Sequence, residues 1–143
     1  MKDGDGCDKD CKLEPGWKCI GGNFDTADKC EEVCGDGLRV STKTGKCDDG
    51  NKVNGDGCSA LCDIETGWEC SGGSSTSKDS CNEICGDGLN AGGVECDDGN
   101  DKNNDGCTVD CKFEPGFTCS GGSLFSSDKC YEICGDGKNY GKY

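Results

Sequence analysis

Asp48, Asp49, Asn51 and Asp56 fall between Cys47 and Cys58, and Asp97, Asp98, Asn100 and Asp105 take the same places between Cys96 and Cys107. Carboxylate and amide oxygens crowded into turns are the hard donors that Ca²⁺ prefers. Both sets are therefore expected to be calcium ligands, and calcium is the one cofactor expected. The loop is not an EF-hand: counted from Asp49 or Asp98, the twelfth position is Ala60 or Val109, where that loop carries Glu. The competing use of these residues is structural, because Asp and Asn also cap turns by bonding nearby backbone.

Two other chemistries fit less well. Neighbouring carboxylates such as Asp48 and Asp49 resemble acid–base partners, but they recur beside turn glycines in a chain with no His, no Ser-centred motif and no phosphate loop. No catalysis is expected. Cys-x-x-x-Cys pairs are found in zinc sites, yet each full repeat has six cysteines and no His, so disulfides are expected instead.

These residues belong to a repeat. Cys47, Cys58, Cys62, Cys70, Cys81 and Cys85 return 49 residues later as Cys96, Cys107, Cys111, Cys119, Cys130 and Cys134. Shifted 51 residues the other way, five of the six appear as Cys7, Cys11, Cys19, Cys30 and Cys34. Repeats of about 50 residues place a partial unit at 1–33, full units at 34–84 and 85–133, and the start of a further unit at 134–143. The chain reads as a window cut at both ends through a bridged unit, and as part of a longer secreted chain, since Met1 is followed by no apolar leader.

Composition says how such a chain can fold. Leu, Ile, Val and Phe number 18 in 143 residues, and the net charge is -14, a balance that ordinarily leaves a chain disordered. Seventeen cysteines reverse that, because small oxidised domains use bridges where a core is insufficient. This implies an oxidising, extracellular or cell-surface setting. An acidic chain excludes nucleic acid as a partner, and no apolar run is long enough to insert in a membrane. No segment holds a helical period, so the expected fold is small and disulfide-rich: a tandem array of three short-strand and turn repeats. Leu38-Arg39-Val40 reads as one brief strand. Trp17, Trp68 and Phe117, each before a cysteine, are expected to cover disulfides.

Cys34-Gly-Asp-Gly, Cys47-Asp-Asp-Gly-Asn and Asp56-Gly-Cys-x-x-x-Cys62 together resemble the myxobacterial-type extracellular cysteine-rich repeat. The Glu-x-Gly-Trp-x-Cys and Gly-Gly segments resemble its longer relative, a domain of unknown function common in ciliate surface proteins. A fainter similarity is to the calcium-binding Notch-type repeats, including those of pappalysin metalloproteases. The resemblance implies that cysteines 34, 47, 58 and 62 pair among themselves and leave Cys70 with Cys81. A Cys58–Cys62 bridge would enclose three residues only, so interlocked pairs are expected: Cys34–Cys58 and Cys47–Cys62, with copies Cys85–Cys107 and Cys96–Cys111. Cys119–Cys130 and Cys19–Cys30 complete seven bridges, and Cys7, Cys11 and Cys134 remain outside them.

The function expected is structural: a disulfide-stapled segment of a surface or secreted filament or stalk, joined head to tail to itself or to neighbouring repeats. The alternative is a calcium-dependent recognition module for a surface protein or glycan. Its contact candidates are the Gly/Ser loops and Tyr131, Tyr140 and Tyr143.

Overall fold

A computed structural model describes residues 4–138 and 141. Tyr140 and Tyr143 lie outside them. Among the described residues there is no helix, and regular structure consists of three two-stranded sheets: β1 (Trp17–Ile20) with β2 (Lys29–Glu32), β3 (Trp68–Ser71) with β4 (Ser80–Glu83), and β5 (Phe117–Ser120) with β6 (Lys129–Glu132). The chain is thus a small disulfide-rich array of short strands and turns. It divides into two compact units, Met1–Glu65 with Glu69–Asn82, and Thr66–Trp68 with Glu83–Tyr143.

Four-residue hairpins are marginal in water, and each of these carries a bridge between its strands. In the antiparallel β1–β2 and β5–β6 pairs, Cys19 stands opposite Cys30 and Cys119 opposite Cys130. Cys70–Cys81 joins β3 to β4. A bridge over a separation of 11 residues stabilises by about 3 kcal/mol on the chain-entropy account. Leu38-Arg39-Val40, expected as a strand, has no ladder partner. Its side chains are used instead: Arg39 donates to Gly73 O at 2.7 Å, and Val40 lies against Gly16, whose φ of +81° and lack of a Cβ permit the approach.

The interlocked pairing does not form. Cys34 bridges Cys62 and Cys47 bridges Cys58; likewise Cys85 bridges Cys111 and Cys96 bridges Cys107. The short loop is nested inside the long one. The cause is a reversal at Ser59–Cys62, where Cys62 N–H donates to Ser59 O and Cys62 O accepts from Cys47 N–H. Cys62 and Cys111 adopt left-handed backbone, φ 58° and 55°, a conformation non-glycine residues rarely take. Cys47 is left facing Cys58, Cα to Cα 5.9 Å. The three hairpin bridges are the expected ones, and Cys7 and Cys134 are free thiols. Cys11 repeats the left-handed turn, φ 60°, and donates its N–H to Asp8 O.

The interior is made of these bridges. Among the described residues the buried apolar ones are Cys47, Cys58, Cys62, Cys96, Cys107, Cys111 and Phe117. Phe117 packs beside Gly106, where a Cβ would lie 3.2 Å from its ring and collide with Cys130. Trp17 and Trp68 are half-buried.

Nested pairing can be read directly. Leu61 is 75% exposed, so chymotryptic cleavage after it should separate Cys58 from Cys62. Mass spectrometry of the unreduced digest should then find Cys58 with Cys47 and Cys62 with Cys34; the crossed pairs would refute the nesting.

Candidate functional site

The Asp48 carboxylate, one of the expected calcium ligands, binds the chain's own backbone amides. Asp48 is 1% exposed. Its Oδ2 accepts the Gly35 N–H at 2.9 Å, and its Oδ1 accepts those of Gly37 at 2.8 Å and Gly50 at 2.9 Å. In the second unit Asp97, also 1% exposed, takes Gly86 N–H at 2.9 Å, Gly88 at 3.0 Å and Gly99 at 2.8 Å. A buried carboxylate is costly unless its lone pairs are filled, and three amide donors fill them with charge-assisted bonds. Converging amides need glycine. Gly35, Gly37 and Gly50 have φ between 80° and 88°, and a Cβ at Gly37 would sit 3.6 Å from Gly50 Cα. Side chains there would strain the backbone and crowd the turn.

A second carboxylate locks the same residue from behind. Asp79 N–H donates to Asp48 O at 2.7 Å, and Asp48 N–H returns a bond to Asp79 Oδ2 at 2.9 Å. Asp79 Oδ1 accepts the Gly73 N–H at 3.0 Å, and the Arg39 guanidinium lies 3.4 Å from Oδ2. Asp128 does the same to Asp97, at 2.6 Å and 3.0 Å, with Gly122 N–H at 2.9 Å and the Asn90 amide at 2.9 Å in place of the arginine. Burial pushes the Asp128 carboxyl up, but bonds from Asn90, Asp97 N–H and Gly122 N–H outweigh it and hold the group below the usual carboxylate value.

A third clasp was not anticipated from the sequence. Glu65 Oε2 takes the N–H groups of Gly55 and Gly57 at 2.7 and 3.0 Å. Glu14 does so for Gly4 and Gly6, both at 2.9 Å, and Glu114 for Asn104 at 2.7 Å and Gly106 at 2.8 Å. The signal for it is the Glu that recurs in Glu-x-Gly-aromatic-x-Cys at 14, 65 and 114.

The remaining calcium candidates do come together. Asn51 Nδ2 donates to Asp49 Oδ2 and Asp56 Oδ2, both at 2.9 Å. Burial first, and the nearby Asp56 charge further, raise the Asp49 carboxyl; burial and Asp105 raise Asp98. Asp56 Oδ1 and Asp105 Oδ1 are buried with no hydrogen-bond partner. Asp48 and Asp97 stand apart from this set, because their oxygens face N–H donors. Among the described residues no group of three or more His, Cys, Asp or Glu is arranged to hold a metal.

Two measurements check the clasps. Asp48→Asn replaces one acceptor oxygen with a donor, and losing a bond to a charged group is worth about 1.5–3 kcal/mol. Amide exchange at Gly35, Gly37 and Gly50 should accelerate roughly 10- to 150-fold while Gly86, Gly88 and Gly99 do not change. Because the folded Asp128 value is depressed, its contribution to stability is complete above the unfolded value and is lost as pH falls through the folded one. A carboxyl NMR titration should put Asp128 below 3.8, and Asn90→Ala should move it upward.

The comparisons agree with this architecture. A family model described as a domain of unknown function, DUF4215, matches residues 14–63 and again 65–112, together more than two thirds of the chain. Over 37 residues, 26% of this chain, the sequence is 51% identical to pappalysin-1 of Mus musculus and 49% identical to pappalysin-1 of Homo sapiens. The chain spans only 2% of the length of those relatives. No solved structure matches. With two successive copies of the domain, each built around the same clasped aspartate, the chain belongs to the DUF4215 family.

Proposed function

We propose that this chain is a structural extracellular segment, a disulfide-stapled spacer of a surface or secreted filament or stalk of the kind built from myxobacterial- and ciliate-type repeats. The observation that carries the reading is where the reactive-looking groups point. The Asp48, Asp79, Asp97 and Asp128 carboxylates face the protein's own backbone, and the bridges form the interior. Such a unit resists unfolding without a conventional core and depends on an oxidising environment. Among the described residues no helix is long and apolar enough to cross a membrane.

Calcium enters the proposal as a stabiliser of Asp49–Asn51–Asp56 and Asp98–Asn100–Asp105. It is supported by the partnerless Asp56 Oδ1 and Asp105 Oδ1 and the raised neighbouring carboxyls in both units. A hard cation would satisfy those oxygens.

The second reading, a recognition module, is favoured by the loop tips. Phe24 is fully exposed and Phe125 94% exposed, in loops whose sequences differ between repeats, and Tyr131 on β6 is 60% exposed.

Electron microscopy of native material decides the first reading: periodic fibres or stalks are expected, and isolated non-periodic chains would end the filament version. Calorimetric titration of the oxidised protein should give calcium binding that Asp56→Asn with Asp105→Asn abolishes. Absence of heat up to about 1 mM Ca²⁺, the weak end of extracellular sites, removes calcium. Recognition would be supported instead by a partner whose binding requires Phe24 or Phe125.

A further inference from the structure

We propose that the carboxylate clasps also guard the chain's Asp-Gly and Asn-Gly steps against isoaspartate formation, so that each step is a latent modification site opened by loss of its clasp. From Asp5 to Gly106, every glycine that follows an Asp or Asn gives its N–H to one of these carboxylates. Glu14 Oε2 holds the N–H of the Asp5–Gly6 step at 2.9 Å. Glu65 Oε2 holds those of Asn54–Gly55 and Asp56–Gly57 at 2.7 and 3.0 Å, and Glu114 Oε2 that of Asp105–Gly106 at 2.8 Å. Asp48 Oδ1 holds Asp36–Gly37 at 2.8 Å and Asp49–Gly50 at 2.9 Å. Asp97 Oδ1 holds Asp87–Gly88 at 3.0 Å and Asp98–Gly99 at 2.8 Å.

These nitrogens are the nucleophiles of the damaging reaction. The glycine nitrogen attacks Cγ of the preceding side chain, and the new N–Cγ bond closes a cyclic imide. In Asp the Cγ–O bond of the neutral carboxyl breaks, and its hydroxyl leaves with the amide proton as water. In Asn the Cγ–N bond breaks, and its amino group leaves with the amide proton as ammonia. Solvent water then opens the imide. Cleavage at Cγ gives aspartate, and cleavage at the main-chain carbonyl gives isoaspartate, with the backbone rerouted through the side chain. No electrons are transferred.

The fold opposes the first step at both partners. The nitrogen must shed its proton to attack, and a carboxylate bonded to that N–H favours the protonated form and resists charge on nitrogen. The electrophile is tied as well. Asn54 Oδ1 accepts the Ala60 N–H at 2.9 Å, and Oδ1 of Asp36 and of Asp87 accept the Leu38 and Leu89 N–H groups at 2.9 and 2.8 Å. A bulkier residue in place of each glycine would also slow the attack by crowding it. That remedy is costly here, because the clasped glycines have φ between 80° and 122°, where a side chain strains the backbone. The turns that build the units thus require the most vulnerable steps, and the carboxylates that hold the turns cover them.

The test ages the oxidised full chain in neutral buffer and follows aspartate and isoaspartate at each step by peptide mapping. Asn54–Gly55 gives the clearest reading, since loss of ammonia changes the mass. If the Gly55 N–H must leave Glu65 before it attacks, the rate follows the fraction released. Glu65→Ala should then speed conversion of Asn54 by roughly 10- to 150-fold, the range for a lost bond to a charged group, and speed isomerisation of Asp56. Asp36, Asp49, Asp87 and Asp98 should keep their native-sequence rates, and Glu114→Ala should move the effect to Asp105. Arg39→Ala frees Asp79 and Gly73 O in the same unit without touching the Glu65 clasp, and should leave Asn54 unchanged. An unaltered Asn54 rate in Glu65→Ala, an equal rise in Arg39→Ala, or a rise at every step together would overturn the proposal. If Glu65→Ala does not oxidise to the native bridges, Glu65→Gln, which keeps an acceptor without the charge, is judged by the same pattern of sites.

Discussion

A buried carboxylate bonded only by backbone amides is the constraint on which each unit depends. Asp48 and Asp97 are inaccessible, and each is held by three glycine N–H groups. Such a carboxylate is tolerable only while all three donors converge on it, and they converge only if the glycines keep positive φ. Each node therefore ties the Cys-Gly-Asp-Gly turn to the Cys-Asp-Asp-Gly turn in one all-or-none arrangement. The two disulfides flank it: Cys34 and Cys47 enter from the two turns, and Cys62 and Cys58 meet them.

The rest of the repeat serves this node. Asp79 or Asp128 binds its outward backbone, and Glu65 or Glu114 performs the same service for the segment leading to the inner bridge. Acidic side chains thus take the part that Leu and Val take in an ordinary core, with bonds to amides replacing apolar contact. Much of the -14 charge is fold-holding charge. Such polar networks specify one arrangement when complete and fail at the first unmatched member, which matches a chain whose apolar residues are largely exposed.

The two units carry the same network with different accessories. Arg39 supports Asp79 where Asn90 supports Asp128, so a guanidinium and an amide meet one geometric need. What must stay is a donor toward the second carboxylate oxygen.

Residue order alone determined the repeat, the six-cysteine spacing and the short-strand character, and the resemblance to known repeats supplied the hairpin bridges. The first three follow from composition and from cysteines that recur at fixed offsets. Order could not rank the nested pairs above the interlocked ones. That outcome hangs on the left-handed backbone at Cys62 and Cys111, adopted by a non-glycine residue that carries no local sign of it. Nor could order separate Asp48 from Asp49, adjacent residues of one type. Tertiary structure sent the first inward to the turn amides and left the second with Asn51 and Asp56. The motif announced carboxylates, and only the folded chain decided that the foremost of them would bind the protein itself.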